Sequence, residues 1–311
     1  MKIIFFGSDD FAAVSLQNLA VTGYHQILAC VTQPDRPRGR GLQILPSPVK
    51  VCARDNDLSI WQPENLTGED IARELAAYEC DLFVVIAYGS ILPPNILNIP
   101  RLFAINAHAS LLPKYRGAAP INWAIINGET ETGVTMIRLN SKLDSGDIIA
   151  QESIAIEPED TAGTLRKKLA ELSAGCLLQT LDLIETGQAA FVPQDSSAAT
   201  YAPKLDKDTA HIDWSEPAAR INNRIRGLLP KPGAHTFLSG KMVKILSAEA
   251  TPVAPEAVQP GQILDISAAG ILVATGQGTL LIVEVRPESS RDMTASAFAA
   301  GHKIMLGQKF G

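Results

Sequence analysis

The start of the chain sets the architecture: residues 2–32 read KIIFFGSDDFAAVSLQNLAVTGYHQILACVT. Lys2–Phe6 is a β-branched and aromatic run that ends at a glycine. Phe11–Leu19 has the apolar spacing of a helix that ends near Gly23. Gln26–Thr32 is a second apolar run of strand length. Strand, helix and strand in this order predict a βαβ unit, which builds parallel sheets.

The same alternation continues along the first part of the chain. Further strands are predicted at Leu82–Ala87, Leu102–His108 and Val134–Leu139, with helices after Ser47-Pro48, at Gly68–Tyr78, at Ala118–Ile126 and from Thr161 to Gly187. Strands that alternate with helices of this length indicate an α/β fold. We expect a doubly wound, mostly parallel sheet of the Rossmann-like kind.

Beyond Ala234 the pattern changes to short β runs between Gly and Pro turns, which predict a smaller, OB-like β-barrel. The runs are His235–Leu238, Met242–Ser247, Gln262–Ile266, Gly270–Val273 and Thr279–Val285. A polar, small-residue stretch precedes this part and is interpreted as a linker. The predicted organisation is a domain at 1–189, a linker at 190–205 and a barrel domain at 206–311.

Composition excludes several classes of protein. The 311 residues are 46% apolar and 19% charged, as in a globular protein, and too apolar for disorder. The longest apolar stretch, Leu82–Leu92, is far shorter than the ~20 residues that span a bilayer. The N-terminal apolar run is too short for a signal peptide. We therefore expect a cytoplasmic protein without membrane contact.

The net charge of −6 argues against coating nucleic acid through bulk electrostatics. The charge is uneven, because the residues from Asp206 onward carry 11 basic and 10 acidic side chains while the preceding part is acidic. A specific RNA contact through a local basic stripe stays possible.

The candidate chemistry lies in Asn106–Gly117, which reads NAHASLLPKYRG. Residues two apart in a strand point to the same face, so Asn106 and His108 project side by side from one strand end. In open α/β sheets that carboxyl end is where ligands bind. Asp144 lies in the turn LDSGD, which follows the strand Val134–Leu139. If the two strands are neighbours, Asp144 can reach the imidazole.

An amide, an imidazole and a carboxylate form a catalytic set without a covalent nucleophile. The carboxylate would hold the histidine tautomer and stabilise a charged ring. The Asn106 amide can donate to an oxygen that becomes negative in a tetrahedral intermediate. The set suits acyl transfer to an amine, which must lose a proton before it attacks. The alternative is structural: a hydrogen-bonded His108 and an Asp144 that only forms a turn.

Other cofactor chemistry is disfavoured. No G-x-G-x-x-G follows the first strand, which argues against NAD or FAD, and no P-loop motif indicates ATP. Neither the four cysteines nor the other histidines show the spacing of metal ligands. We therefore expect no metal.

These motifs resemble the folate-dependent formyltransferase family. The block H-x-S-L-L-P-x-x-R-G, with Asn106 two residues before the histidine and L-D-x-G-D after it, is specific for that superfamily. Further blocks are similar to the branch that formylates methionyl-tRNA, and the likeness runs essentially end to end. These blocks are Gln33–Pro37, Gly39–Gly41, Pro46–Lys50, Val85–Pro93, Ile212–Ser215 and Ile225–Gly227 with Pro230, Pro232 and Gly233.

The resemblance implies an activity, a co-substrate and a partner. It implies that Asn106, His108 and Asp144 are catalytic, that 10-formyltetrahydrofolate is the formyl donor, and that initiator methionyl-tRNA is the acceptor of a monomeric enzyme. The folate-binding residues that it implies are Ser110, Leu111, Leu112 and Pro113 around the folate, with Tyr88, Gly89 and Ile91 near the pterin. One departure is Asp9, which stands in the first turn where relatives commonly have proline.

The Gln33–Gly41 loop carries Arg36, Arg38 and Arg40 at alternate positions. Its Pro and Gly content predicts no regular structure, and its lack of apolar side chains predicts mobility. Three guanidiniums in an acidic domain indicate a contact with tRNA phosphates. A solvated surface loop without function is the alternative.

Two other functions remain open. The first is formyl transfer to a smaller amine, such as a nucleotide-linked amino sugar or glycinamide ribonucleotide; the residues after Asp206 count against the glycinamide enzymes. The second is a non-catalytic RNA-binding module on an enzyme fold. That hypothesis predicts loss of Asn106, His108 or Asp144, and all three are present.

Overall fold

The computed structural model describes residues 1–38, 43–253 and 258–311. They form two compact units that interleave along the sequence. Unit 1 contains residues 1–117, 132–154 and 166–201, and unit 2 contains residues 118–131, 155–165 and 202–311. Two short stretches that precede residue 166 therefore belong with the C-terminal part. The domain limits expected at 189 and 206 stay a prediction.

The first part of the chain alternates strands and helices as expected. Its strands are β1 Lys2–Gly7, β2 Gln26–Val31, β3 Arg36–Arg38, β4 Gln43–Leu45, β5 Ile60–Trp61, β6 Leu82–Ile86, β7 Phe103–His108, β8 Arg116–Gly117, β9 Glu131–Arg138 and β10 Ile148–Ala155. Its helices are α1 Asp10–Thr22, α2 Pro48–Asp55, α3 Glu69–Ala76, α4 Pro94–Leu97, α5 Pro120–Ile126 and α6 Ala162–Glu185.

A seven-stranded sheet organises unit 1, in the order β10-β9-β7-β6-β1-β2-β5. The pairs from β7 to β5 are all parallel, whereas β9 runs antiparallel to β7. The predicted α/β class and the mostly parallel sheet are confirmed. Since strand order reverses direction beside β1, the carboxyl ends of β1, β6 and β7 form the edge where such folds bind ligands.

Local signals explain where α1 begins and ends. Asp9 caps α1, because its carboxylate accepts from the Ala12 N–H at 3.1 Å, and Gly23 ends the helix in a left-handed conformation with φ 63°. Arg166 pairs with both Asp9 and Asp10. Asp9 thus serves the start of α1 and contacts none of Asn106, His108 and Asp144.

Two apolar faces cover the sheet. Ile4 and Phe6 point to one face with Phe83 and Val85, and Leu75 of α3 and Ile96 of α4 pack on that side. All six belong to one buried cluster. Ile3 and Phe5, the alternate residues of β1, are equally buried on the other face. A sheet buried on both sides holds its strand ends rigidly, which is what a site at the edge requires.

Unit 2 is built on an antiparallel sheet in the order β12-β13-β16-β15-β14. Along the chain, β11 Tyr201–Ala202 falls on the limit between the two units. The elements of unit 2 after it are α7 Ala218–Gly227, β12 His235–Leu238, β13 Lys241–Thr251, β14 Ile263–Ser267, β15 Gly270–Ala274, β16 Thr279–Pro287, β17 Met293–Thr294 and α8 Ala295–His302. Bridges from Phe310 to Leu238 and from Lys309 to Gln262 link the last residues of the chain to the two edges of the sheet, β12 and the start of β14. The last residues therefore connect the two edge strands, as in the small barrel that the sequence predicts.

The core of unit 2 includes α5, although α5 precedes most of that unit in sequence. Ile126 is 5% exposed and lies in one cluster with Ile225, Val243 and Phe298. The side-chain amide of Asn122 donates to the Gly227 carbonyl at 2.7 Å, which joins α5 to α7. Unit 2 therefore needs residues 118–131 to complete its core.

Removal of the Ile126 side chain should destabilise the protein strongly. Ile126→Ala leaves a cavity among buried apolar side chains, so we expect the free energy of unfolding to fall by about 2–5 kcal/mol. Urea unfolding followed by circular dichroism measures the change. Ile44→Ala is the matched control, because Ile44 is 69% exposed and should change stability by about 0.5 kcal/mol at most. Equal effects at both positions would contradict the assignment of α5 to this core.

The Gln33–Gly41 loop, called the arginine-bearing segment below, differs in part from what its sequence predicts. Arg36–Arg38 pairs with Gln43–Leu45 as a short antiparallel ribbon, so the prediction of no regular structure was wrong at residues 36–38. Pro37 is tolerated because hydrogen-bonded pairs alternate along an antiparallel ladder, and proline can occupy a position that needs no N–H. Arg40, Gly39 and Gly41 lie outside the described residues.

Several elements had no counterpart in the sequence prediction, among them β10, α7 and α8. Among the described residues, no helix has both the length and the apolar character for crossing a membrane.

Candidate active site

Three strand ends converge at the edge of the parallel sheet. The register pairs Gly7 of β1 with Ile86 of β6, and Val85 of β6 with Asn106 of β7. The loops that follow these strands therefore start side by side. The Ser8 hydroxyl joins two of them, because it donates to the Tyr88 carbonyl at 3.0 Å.

Asn106 brings an uncommitted amide to this edge. The residue is half-buried, and its backbone is held between Val85 on β6 and Ile137 on β9. Within the described part of the chain, no protein group forms a hydrogen bond with its side chain. A rigid strand thus presents an amide whose N–H groups are available to another molecule.

His108 lies two residues further on β7 and is 6% exposed. Its Nε2 lies 2.8 Å from the Tyr115 carbonyl oxygen. A carbonyl oxygen can only accept, so Nε2 carries the proton and donates. The neutral ring therefore has its lone pair on Nδ1. That nitrogen faces Asp144, with Nδ1 and Oδ2 separated by 3.7 Å.

Asp144 lies in the tight turn after β9. The Gly117 N–H donates to Asp144 Oδ2 at 2.8 Å, and the residue has a positive φ of 46°. Gly146 lets the turn approach β9, because a Cβ there would lie 1.7 Å from the Arg138 carbonyl oxygen. The expectation that Asp144 reaches the imidazole is met by this geometry, since β7 and β9 are neighbours. The separation exceeds a hydrogen bond, as is common in ligand-free catalytic sites.

The loop after His108 is fixed by its own polar groups. The Ser110 hydroxyl donates to the Lys114 carbonyl at 2.7 Å, and the Leu112 N–H donates to Thr135 Oγ1 at 3.1 Å. Ser110 and Leu112 are buried, whereas Leu111 and Pro113 are half-buried. Within residues 110–113, the side chains of Leu111 and Pro113 are therefore the ones open to a ligand.

The loop after β6 offers a different surface. The Tyr88 ring is buried against Phe6 with ring centroids 5.6 Å apart, and burial raises its pKa to about 12, so the phenol stays neutral. Gly89 has a φ of 88° and open space at its Cβ position. Ile91 is 80% exposed. The exposed backbone and this apolar side chain together could contact a flat ring.

Sequence profiles of two families match the chain. The profile described as formyl transferase matches residues 1–181, and the profile for the formyl transferase C-terminal domain matches residues 204–303. A methionyl-tRNA formyltransferase from Moorella thermoacetica is 44% identical over 100% of this chain and 99% of its own length. The chain belongs to the methionyl-tRNA formyltransferase family.

Solved structures agree with this family at the level of fold. The sugar 3N-formyl transferase WlaRD, crystallised in the presence of dTDP and 5-N-formyl-THF, matches with a TM-score of 0.68 at 20% identity and covers 94% of this chain and 99% of WlaRD. A glycinamide ribonucleotide transformylase from Symbiobacterium toebii has a TM-score of 0.53 at 18% identity, covering 63% of this chain and 94% of its own. The match to WlaRD thus spans nearly the whole of this chain, whereas the match to the glycinamide enzyme leaves more than a third of it without a counterpart.

The base of the arginine-bearing segment is held in place. Gln33 Nε2 donates to Ser90 Oγ at 3.1 Å, which joins the segment to the loop after β6. Asp35 pairs with Lys50 at 2.6 Å and accepts from Gln62 at 2.8 Å. Polar contacts thus tie residues 33–35 to their surroundings, and the mobility expected of the loop stays a prediction.

Of the three arginines, only Arg36 has a described side chain. Arg36 is exposed and lies 3.7 Å from Glu64, a surface pair that contributes little to stability. The side chain of Arg38 and all of Arg40 fall outside the described residues. Their predicted role in binding tRNA stays a prediction for this family member.

Residues 190–205 are more than a spacer. Val192 bridges Ile148 of β10, and Thr200 Oγ1 accepts from the Tyr115 N–H at 2.8 Å. Gln194 bonds to Arg116 and to the Asp144 turn. These partners could not be predicted from the sequence, since a polar, small-residue stretch is typical of an unpacked connection.

Proposed function

We infer that this protein transfers the formyl group of 10-formyltetrahydrofolate to the amino group of methionyl-tRNA. The observation that carries this proposal is the meeting of three groups at one sheet edge: the uncommitted amide of Asn106, the Nδ1 lone pair of His108 and the carboxylate of Asp144. Membership of the family adds the substrates to the chemistry.

His108 acts as the base. An α-amino group must be deprotonated before it attacks a formyl carbon, and its ordinary pKa is ~7.7–8.0. Nδ1 takes the proton because Nε2 already donates to the Tyr115 carbonyl. Asp144 then faces a positively charged ring, and the attraction between the two stabilises the proton transfer.

Asn106 stabilises the charge that develops on the other reactant. When the amine attacks, the formyl oxygen becomes negative and needs a donor. Collapse of this intermediate breaks the bond between the formyl carbon and the folate nitrogen, which leaves with the proton returned by the charged His108 ring, while the attacking nitrogen releases its extra proton to solvent. The Asn106 amide is held on β7 and has no competing protein partner in the described chain, so it can donate without reorganisation.

The loops around these groups fit a folate. A flat ring with polar edges needs an apolar slot lined by backbone donors and acceptors. The exposed Ile91 and the half-buried Leu111 and Pro113 supply apolar contact. The buried Ser110, Leu112 and Tyr88 hold the two loops in shape through their own contacts. The exposed backbone at Gly89 can meet a polar edge of the ring. When bound there, the folate supplies the activated formyl group.

The tRNA contact is assigned to two regions. Arg36, Arg38 and Arg40 bind phosphates near the acceptor end, and residues 206–311 orient the body of the tRNA. The near-neutral charge of that second region suits a limited, orienting contact. We further propose that the enzyme works as a monomer in the cytoplasm.

A competition between acceptors tests the reaction. Purified protein is incubated with 10-formyltetrahydrofolate and, in turn, methionyl-tRNA, free methionine and nucleotide-linked amino sugars, and the formylated product is quantified. We expect product from methionyl-tRNA alone. Exclusive use of an amino sugar would favour the second candidate function, formyl transfer to a nucleotide-linked amino sugar. WlaRD, a sugar 3N-formyl transferase, has a similar fold. No transfer to any amine would leave an RNA-binding module.

The arginine contact predicts a change in salt dependence. Arg36→Leu, and separately Arg40→Leu, should raise KM for methionyl-tRNA while the affinity for folate stays unchanged. Removal of one phosphate contact makes the plot of log kcat/KM against log salt concentration less steep by about one unit. Arg54→Leu is the control, since Arg54 is also exposed but lies on α2. Equal slopes for wild type and all three variants would indicate that the segment is a solvated surface loop that does not contact tRNA.

A further inference from the structure

We propose that Gln194 is a positioning residue that holds the Asp144 turn in place opposite His108. The inference rests on the proposed formyl transfer and extends it to a residue of the connecting segment. Gln194 touches neither reacting group. It acts through the backbone of Asp144 and Gly146.

Gln194 stands apart from its neighbours in the chain. Every other residue from 191 to 198 is exposed, whereas Gln194 is half-buried. Its side chain therefore turns inward from a surface segment, and polar side chains do this only where they find partners.

The partners settle the orientation of the amide. Gln194 Oε1 accepts from Arg116 Nε at 3.1 Å and from Nη2 at 2.6 Å. Gln194 Nε2 donates to the carbonyl oxygens of Asp144 at 2.9 Å and Gly146 at 2.8 Å. Arginine has no acceptor and a carbonyl has no donor, so only this orientation satisfies all four bonds.

These bonds close a ring of contacts around the Asp144 turn. Arg116, which is 5% exposed, holds Gln194, and Gln194 holds the backbone of Asp144. The next residue after Arg116 is Gly117, whose N–H holds the carboxylate of Asp144. Strand β8 therefore holds the Asp144 carboxylate directly, through the Gly117 N–H. It holds the Asp144 backbone indirectly, through Arg116 and Gln194.

The turn needs such support because of its own geometry. Asp144 has a left-handed backbone, which costs free energy for a residue other than glycine. Its carboxylate lies 3.7 Å from Nδ1, at the far limit of an ion pair, so a small displacement would remove it from His108. Loss of the two donor bonds from Gln194 would permit that displacement.

Two substitutions separate the positioning role from a simple partner for Arg116. Gln194→Met keeps the shape and removes all four bonds. Gln194→Glu offers Arg116 a charged acceptor but cannot donate to the two carbonyls. We expect both variants to lower the single-turnover rate of formyl transfer by about 10–100-fold, the usual effect of losing a group that orients a reactive residue.

The split between kinetic parameters is the second readout. KM for methionyl-tRNA and the Kd for 10-formyltetrahydrofolate should change by less than about threefold, because binding contacts are retained. Ser196→Ala is the matched control, since Ser196 lies in the same segment and is exposed. Circular dichroism and thermal unfolding verify that each variant is folded. A Gln194→Glu protein with the wild-type rate would overturn the proposal, because Gln194 would then serve Arg116 alone.

A double-mutant cycle with Asp144→Asn completes the test. If Gln194 acts through Asp144, adding Gln194→Met to Asp144→Asn should cause little further loss. A full, multiplicative loss in the double variant would contradict the positioning role. A wild-type protein that fails to formylate methionyl-tRNA overturns the proposed function itself, whereas active Gln194 variants overturn this inference alone.

Discussion

Asp144→Asn is expected to lower kcat by about 10³–10⁴-fold while the protein remains folded. The amide preserves the size of the side chain and can still accept from the Gly117 N–H. It carries no charge, however, so it cannot stabilise the His108 ring after proton transfer. A carboxylate that orients and stabilises a catalytic histidine has an effect of this size in other enzymes.

Single-turnover kinetics with excess enzyme measure this rate, and equilibrium binding of the folate verifies that the site is intact. Asp182→Asn, on the exposed side of α6, is the matched control and should retain full activity. A loss below threefold in the Asp144 variant would remove that residue from the mechanism and favour a purely structural turn.

Asn106→Ala is expected to weaken transition-state stabilisation by about 3–4 kcal/mol, which lowers kcat about 10²–10³-fold. Alanine leaves the β7 backbone unchanged, and no protein hydrogen bond of the described chain is lost with the amide. The effect should therefore fall on kcat, with the affinity for folate nearly unchanged.

The control for this second variant is Asn98→Ala. Asn98 is an exposed asparagine at the end of α4, away from the β7 strand end. If the Asn106 variant instead raised KM with an unaltered kcat, the amide would bind the ground state, and another donor would have to stabilise the developing charge.

Strongly periodic stretches allowed most of the fold to be predicted. The run predicted at His235–Leu238 is β12 with the same limits, and the helix predicted from Thr161 to Gly187 is α6 at Ala162–Glu185. Spacing predicted that three side chains of the candidate site lie close together, because Asn106 and His108 share a strand and Asp144 follows a strand that is its neighbour. Their catalytic roles came from the resemblance to the family and stay a prediction.

Elements with few apolar residues escaped prediction. In α7 the large apolar residues are Ile221 and Ile225, set among arginines and asparagines. Both are fully buried in unit 2, so tertiary packing, and not local propensity, forms this helix. The pairing of β3 with β4 escaped for a similar reason, since proline and arginine are not typical of strands.

The hydrogen bonds of Gln194 could not be predicted from the sequence for a different reason. A glutamine in a polar stretch has no pattern, and its partners are backbone carbonyls and Arg116, which lie far away in sequence. Only the folded chain selects such partners. Sequence periodicity therefore predicts burial well, while the polar contacts that orient a reactive group have to be read from the structure.

The interleaving of the two units has a consequence for recombination between relatives. A chimera made with a single crossover near residue 204 would take α5 from one parent and α7 from the other. Ile126 and Gly227 would then come from different sequences, although a Cβ on Gly227 would lie 2.6 Å from Ile126 Cγ1. Exchanging residues 204–311 as one cassette would break a matched helix pair, so a transplant of the whole unit must carry residues 118–131 and 155–165 as well.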